Sequence, residues 1–97
     1  MRQRYIVTYD IADPSRLRRV FRILKGYGEH LQLSVFRCDL TKMMLARVKA
    51  ELNEVINNAE WDQVLIVDVG PTEGRGVEVF ESLGKAYVDE GWKPNVV

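Results

Sequence analysis

The sequence predicts an α+β protein, a two-layer βαββαβ sandwich of the ferredoxin-like kind with an extra C-terminal strand. Three observations point there. Tyr5–Tyr9 is rich in the β-branched and aromatic residues of a buried central strand, and it runs straight into Asp10. Two amphipathic segments, about 14–25 and 42–58, each follow a residue able to cap a helix. Apolar runs of strand length lie between them, at 31–40, and after the second, at 64–69. The order is that of a split strand–helix–strand unit repeated twice. The chain has 97 residues, enough for one small domain, assigned to 1–83 with a tail over 84–97.

Taking the elements in order, Arg4–Ile11 is a mostly buried strand punctuated by Asp13-Pro14. Asp13 suits the N-cap, and Pro14 suits the first helical position, where its missing N–H would have had no partner. Leu17, Val20, Phe21, Leu24 and Tyr27 then share one helical face, with Arg18, Arg22 and Lys25 opposite and Arg16 and Arg19 on a flank. Gly26 and Gly28 end this helix. Leu31, Leu33 and Val35 alternate with Gln32, Ser34 and Phe36, and the strand signal continues through Cys38 to Leu40. No Gly, Pro or Asn marks a turn within that run, so a bent strand or a bulge must supply the two strands that the fold requires.

Thr41 caps a second helix with an apolar stripe of Met44, Leu45, Val48, Leu52, Val55 and Ile56. Asp62 or Gln63 leads into the compact strand Val64–Val69, closed by Gly70-Pro71. The alternation of Val77, Val79, Phe80 and Leu83 reads as a further strand without a partner in a four-stranded sheet. An unpaired edge invites pairing with another chain, and a homodimer is the expected outcome. The tail holds Trp92, Val96 and Val97, which can dock on a partner or fold back on the dimer.

The formal charge of zero conceals a strong asymmetry. Residues 1–50 carry 11 Lys+Arg against four acids, a net of +7, and residues 51–97 carry three against ten, a net of −7. One surface meeting polyanions would explain this, and so would two halves attracting each other. There is no run of the roughly 20 apolar residues that a membrane span needs, and no signal peptide precedes the first strand. A single cysteine, Cys38, excludes an internal disulfide framework and fits a reducing cytoplasm. On a strand it reads as a small buried hydrophobe.

Candidate chemistry centres on Asp10, delivered to the C-terminal edge of a strand. It can ligate Mg2+, a hard cation bound through one or two carboxylates plus substrate phosphates. Asp13 is assigned to a cap, so a symmetric dimer would have to face two copies of Asp10 across one shared ion. Alternatively, Asp10 merely turns the chain. Arg16, Arg18, Arg19, Arg22 and Lys25 can neutralise phosphates or form a solvated face. His30 is the only histidine, which leaves histidine-based zinc sites and His-paired nucleophiles unsupported. No phosphate-binding loop, dinucleotide fingerprint or paired-cysteine motif is present.

YIVTYDI at 5–11, the arginine-rich helix, and YGEHLQLSVF at 27–36 closely resemble the second of the core CRISPR-associated (Cas) families. The resemblance is specific over residues 4–40 and looser to about residue 83. It implies a ferredoxin-fold homodimer whose C-terminal strand extends the partner's sheet. It also implies a metal-dependent endonuclease acting on single-stranded RNA or double-stranded DNA. The metal-binding aspartate of the family falls on Asp10, beside Tyr9. Its helix arginines fall on Arg19 and on Arg16 or Arg18, and its Ser-Val-Phe motif on Ser34 and Phe36. The chain departs at Leu17 and His30, where basic residues are common. The resemblance also implies a second role, as an adaptor dimer bridging the CRISPR integrase during spacer integration. There the basic helices grip duplex DNA and the tail docks the integrase.

Overall fold

The computed structural model describes residues 1–73 and 80–88. It comprises β1 (Gln3–Asp10), α1 (Pro14–Lys25), β2 (Glu29–Gln32), β3 (Val35–Leu40), α2 (Lys42–Asn53), one 3-10 turn (Asn58–Glu60) and β4 (Gln63–Pro71). The four strands form one sheet in the order β2-β3-β1-β4, each antiparallel to its neighbour. This is the expected ferredoxin-like α+β arrangement. β1 lies at its centre, pairing from Gln3 to Thr8 with β3 and along its whole length with β4.

Alternation along the strands separates the two faces. Val7 and Tyr9 of β1, with Phe36, Cys38 and Leu40 of β3, point into the core. They meet Val20 and Leu24 of α1 and Val48 and Leu52 of α2. Cys38 is fully buried, and burial pushes its thiol up to about 12, which makes it an inert core residue as expected. The opposite face carries Ile6, Val35 and Arg37, over which residues 80–88 lie. Arg37 is only 2% exposed. It pairs with Glu29 across β2 and β3 at 2.9 Å and donates to the Tyr87 hydroxyl.

Both helix caps form as read. Asp13 accepts from the Arg16 amide at 2.9 Å, and Thr41 Oγ1 from the Met44 amide at 3.2 Å. Gly26 caps α1 with right-handed backbone, so glycine's conformational freedom is not what that position uses. Gly28 serves a different need. A Cβ there would lie 2.3 Å from the Arg37 carbonyl oxygen and 2.5 Å from Cys38 Sγ, so the link from α1 to β2 can cross β3 only without a side chain.

Two expectations require adjustment, and a third falls partly outside the described residues. The run 31–40 is not a single bent strand. Leu33 and Ser34 form a tight turn between β2 and β3, with a register shift between His30 and Gln32. The turn is held from outside, because the Ser34 carbonyl accepts the Tyr9 N–H at 3.2 Å and the Leu33 carbonyl accepts the Tyr9 hydroxyl at 3.3 Å. Next, α2 stops at Asn53 rather than Asn58. The Leu52 carbonyl accepts the amides of both Val55 and Ile56 at 3.0 Å, tightening the last turn so that Val55 enters the core. Finally, of the strand expected at 77–83, residues 77–79 lie outside the described residues, and 80–83 take no strand pairing within the single chain. The tail residues Trp92–Val97 lie outside them too.

Candidate nucleic-acid and metal site

One end of the sheet gathers the chemistry-bearing residues. β1 arrives there with Asp10, β2 and β3 turn there through Leu33 and Ser34, and β4 starts there at Gln63, the pairing partner of Asp10. The N-terminus of α1 follows three residues after β1. Asp10 is exposed, and its carboxylate has no hydrogen bond or ion pair among the described residues. Its neighbours are committed elsewhere, Asp13 to the helix cap and Asp62 to a buried ion pair. No group of three or more His, Cys, Asp or Glu side chains converges to hold a metal ion among the described residues. Asp10 is therefore a free hard-oxygen donor at this end. That is thin for a self-contained site but suits Mg2+, which keeps its waters and takes few protein ligands.

The basic helix divides by geometry. Arg18, Arg19 and Arg22 are exposed and unpaired among the described residues, and Lys25 is half-buried and also unpaired. Arg19 and Arg22 line a groove between α1 and α2 with Tyr27, Glu51 and Glu54. There the Tyr27 hydroxyl donates to Glu51, and burial with this carboxylate beside it pushes the phenol up to about 12. Arg16, also expected among the phosphate ligands, is the exception in being paired within the chain. Its Nε donates to Asp62 Oδ2 at 2.7 Å and its Nη2 reaches Oδ1 at 3.4 Å.

Asp62 is a hub that sequence reasoning passed over as a mere strand entry. Its carboxylate also accepts the amides of Asn57 at 2.9 Å and Ala12 at 3.3 Å. These donors, Arg16 foremost, hold it well below the usual carboxylate range, at about 2. The hub ties the residues leaving β1, the first turn of α1 and the start of β4 into one rigid corner.

Tyr9, beside the expected metal ligand, and Phe36, of the Ser-Val-Phe motif, both expected to serve the catalytic centre, lie in the core. Phe36 has no exposed surface and packs against Phe21 (5.5 Å between centroids), His30 (5.0 Å) and Tyr9 (6.2 Å). A ring so enclosed is part of the core. Tyr9 is also buried, and its hydroxyl anchors the turn at Leu33. Ser34 is half-buried in that turn, where its backbone serves β1. His30 stacks edge-on against Phe21, a packing role in keeping with a lone histidine.

Comparisons with known proteins place this chain in a family. Residues 1–75 match the family of CRISPR associated protein Cas2. The chain belongs to the Cas2 family. It is 45% identical over 87 residues to a protein of Geobacter sulfurreducens named CRISPR-associated endoribonuclease Cas2, covering 90% of both chains. A Rhodospirillum rubrum protein named CRISPR-associated endoribonuclease Cas2 1 is 48% identical over 83 residues, 86% of this chain and 79% of its own. Among solved structures, Streptococcus pyogenes Cas2 superposes with a TM-score of 0.70 at 29% identity, over 84% of this chain and 99% of that one. No described helix of this Cas2 protein is long and apolar enough to cross a membrane.

Proposed function

We propose that this Cas2 protein is a metal-dependent endonuclease of the CRISPR defence system that hydrolyses phosphodiester bonds in single-stranded RNA or double-stranded DNA. The observation that carries the reading is Asp10, an exposed and uncommitted carboxylate on the rigid end of the central strand. The endoribonuclease names of its relatives in Geobacter and Rhodospirillum favour the same chemistry. Mg2+ held by Asp10 of two protomers would polarise a phosphoryl oxygen and lower the pKa of an attacking water. The chain's own residues supply the rest. Arg18 and Arg19, unpaired and exposed, draw the phosphate backbone onto α1 and offset charge growing on the phosphoryl group. The Asp62–Arg16 pair keeps the first turn of α1 fixed relative to Asp10.

The dimer belongs to this reading. Asp10 alone is thin for a metal site, and the sheet leaves Leu65 and Val67 of β4 about half exposed on the face away from the helices. Those side chains, beside an unpaired β4 edge, suit a second copy. Cleavage of labelled RNA and duplex DNA with Mg2+ titrated in, and EDTA as control, tests the assignment. Loss of all metal-dependent cleavage in a dimeric Asp10→Ala protein is the expected result.

A second reading rests on the α1 arginines alone. Arg18, Arg19 and Arg22, exposed and unpaired among the described residues, can hold duplex DNA without any bond being cut, in an adaptor dimer that bridges the CRISPR integrase during spacer acquisition. Salt-sensitive duplex binding that survives Asp10→Ala, with no cleavage by either protein, would select this role.

A further inference from the structure

Trp61 is 90% exposed, yet it sits where a large side chain is costly. Its φ of 65° makes it the one described non-glycine residue in the left-handed region, at the end of the 3-10 turn. That conformation suits glycine, and it is strained for a bulky aromatic residue. The backbone is held in place, because the Trp61 amide donates to the Asn58 carbonyl at 3.1 Å and the next residue is the buried hub Asp62. Among the described residues the ring therefore gains almost no packing to offset the strain.

Its position supplies an account. Gln63 pairs with Asp10, so Trp61 stands two residues, at most roughly 7 Å of chain, from the strand position facing the candidate metal ligand. Its chain neighbours Glu60 and Asp62 are both acidic, and Arg16 is closed onto Asp62. The indole carries no charge to offer a phosphate, so what it presents to a polynucleotide is a flat face for a base. A flat exposed ring stacks on any unpaired base, whereas a duplex keeps its bases stacked inside. We propose that Trp61 is a stacking platform for an unpaired base of single-stranded RNA held at the Asp10 end of the sheet. The phosphates of that strand lie on the α1 arginines. This rests on the nucleic-acid reading above and adds to it a preference for single strands and the residue that creates it.

The test uses Trp92→Phe protein, in which Trp61 is the only tryptophan. EDTA prevents cleavage, and a ten-nucleotide oligouridine and a ten-base-pair DNA duplex serve as probes. The single strand is expected to quench Trp61 fluorescence and the duplex to leave it unchanged. In Trp61→Gly, whose backbone suits glycine, single-strand affinity falls about 5- to 150-fold, the range for losing one stacked base. Its duplex affinity and dimerisation stay intact, its urea midpoint is equal or higher, and Trp61→Phe retains most of the single-strand affinity. Unchanged oligouridine affinity in Trp61→Gly overturns the stacking role while leaving the nucleic-acid reading standing. Dissociation of the Trp61→Gly dimer overturns it in favour of a protein interface. Failure of every form of the protein to bind either probe overturns the nucleic-acid reading itself.

Discussion

Replacing Gly28 by alanine tests the packing that seats the β2–β3 turn at the site. The added Cβ would lie 2.3 Å from the Arg37 carbonyl oxygen and 2.5 Å from Cys38 Sγ. Neither neighbour is the tip of a flexible side chain. The Arg37 carbonyl belongs to the sheet, and Cys38 is fully buried on the core face. Gly28 cannot move away freely either, since its own amide donates to the Leu24 carbonyl at 2.9 Å. Overpacking a fixed site costs about 1–3 kcal/mol when side chains absorb it, and more when backbone has to shift. We therefore expect a loss of at least about 3 kcal/mol, a large share of the roughly 5–15 kcal/mol that holds a domain of this size folded. With an m-value of about 1–3 kcal/mol/M, the urea midpoint should fall by roughly 1–3 M at fixed protein concentration. Adding Cys38→Ala removes the sulfur but not the carbonyl, so the double variant should recover only part of the loss. A Gly28→Ala protein within 1 kcal/mol of the parent would refute the close approach and with it the seating of β2 on β3.

Further predictions address the corner and the phosphate ligands. Asp62 is held at about 2, below its ordinary 3.8. Its stabilising contribution is therefore fully present above pH 4 and lost as pH falls through about 2, so Asp62→Asn should flatten the acid limb of a stability–pH profile. Tyr9→Phe removes the hydroxyl bond to the Leu33 carbonyl and should cost about 1 kcal/mol in urea melts, without changing which metal supports cleavage. Neutralising Arg18 or Arg19 should weaken binding of all sequences alike and lower the slope of log affinity against log salt by about one each. Arg16→Gln should instead lower stability and leave that slope nearly unchanged, because Arg16 is already paired with Asp62.

The parts of this molecule legible in its sequence are those set by local rules. Asp13-Pro14 and Thr41 start helices through their own chemistry, and both caps form as read. The alternation that puts Val7, Phe36 and Cys38 into the core is likewise local. What stayed hidden depends on contacts between distant segments. The turn at Leu33 and Ser34 has no turn-forming residue because Tyr9, 24 residues away, holds it with its hydroxyl. Arg16 looked like one more arginine on a basic helix, because its partner Asp62 lies 46 residues ahead. Phe36 belonged to a motif read as functional, yet strand alternation with Val35 and Arg37 places it inward. The left-handed backbone at Trp61 had no Gly or Asn to announce it.

The central claim is that Asp10 carries metal-dependent chemistry. Because its side chain is exposed and unpaired among the described residues, Asp10→Ala should change stability by no more than about 0.5 kcal/mol. The most direct measurement compares cleavage of labelled single-stranded RNA and duplex DNA by wild type and Asp10→Ala, matched for dimerisation, across a Mg2+ titration with EDTA controls. The account predicts cleavage that rises with Mg2+ in the wild type and is absent in the variant at every metal concentration. Equal cleavage by both proteins, or cleavage that persists in EDTA, would contradict it.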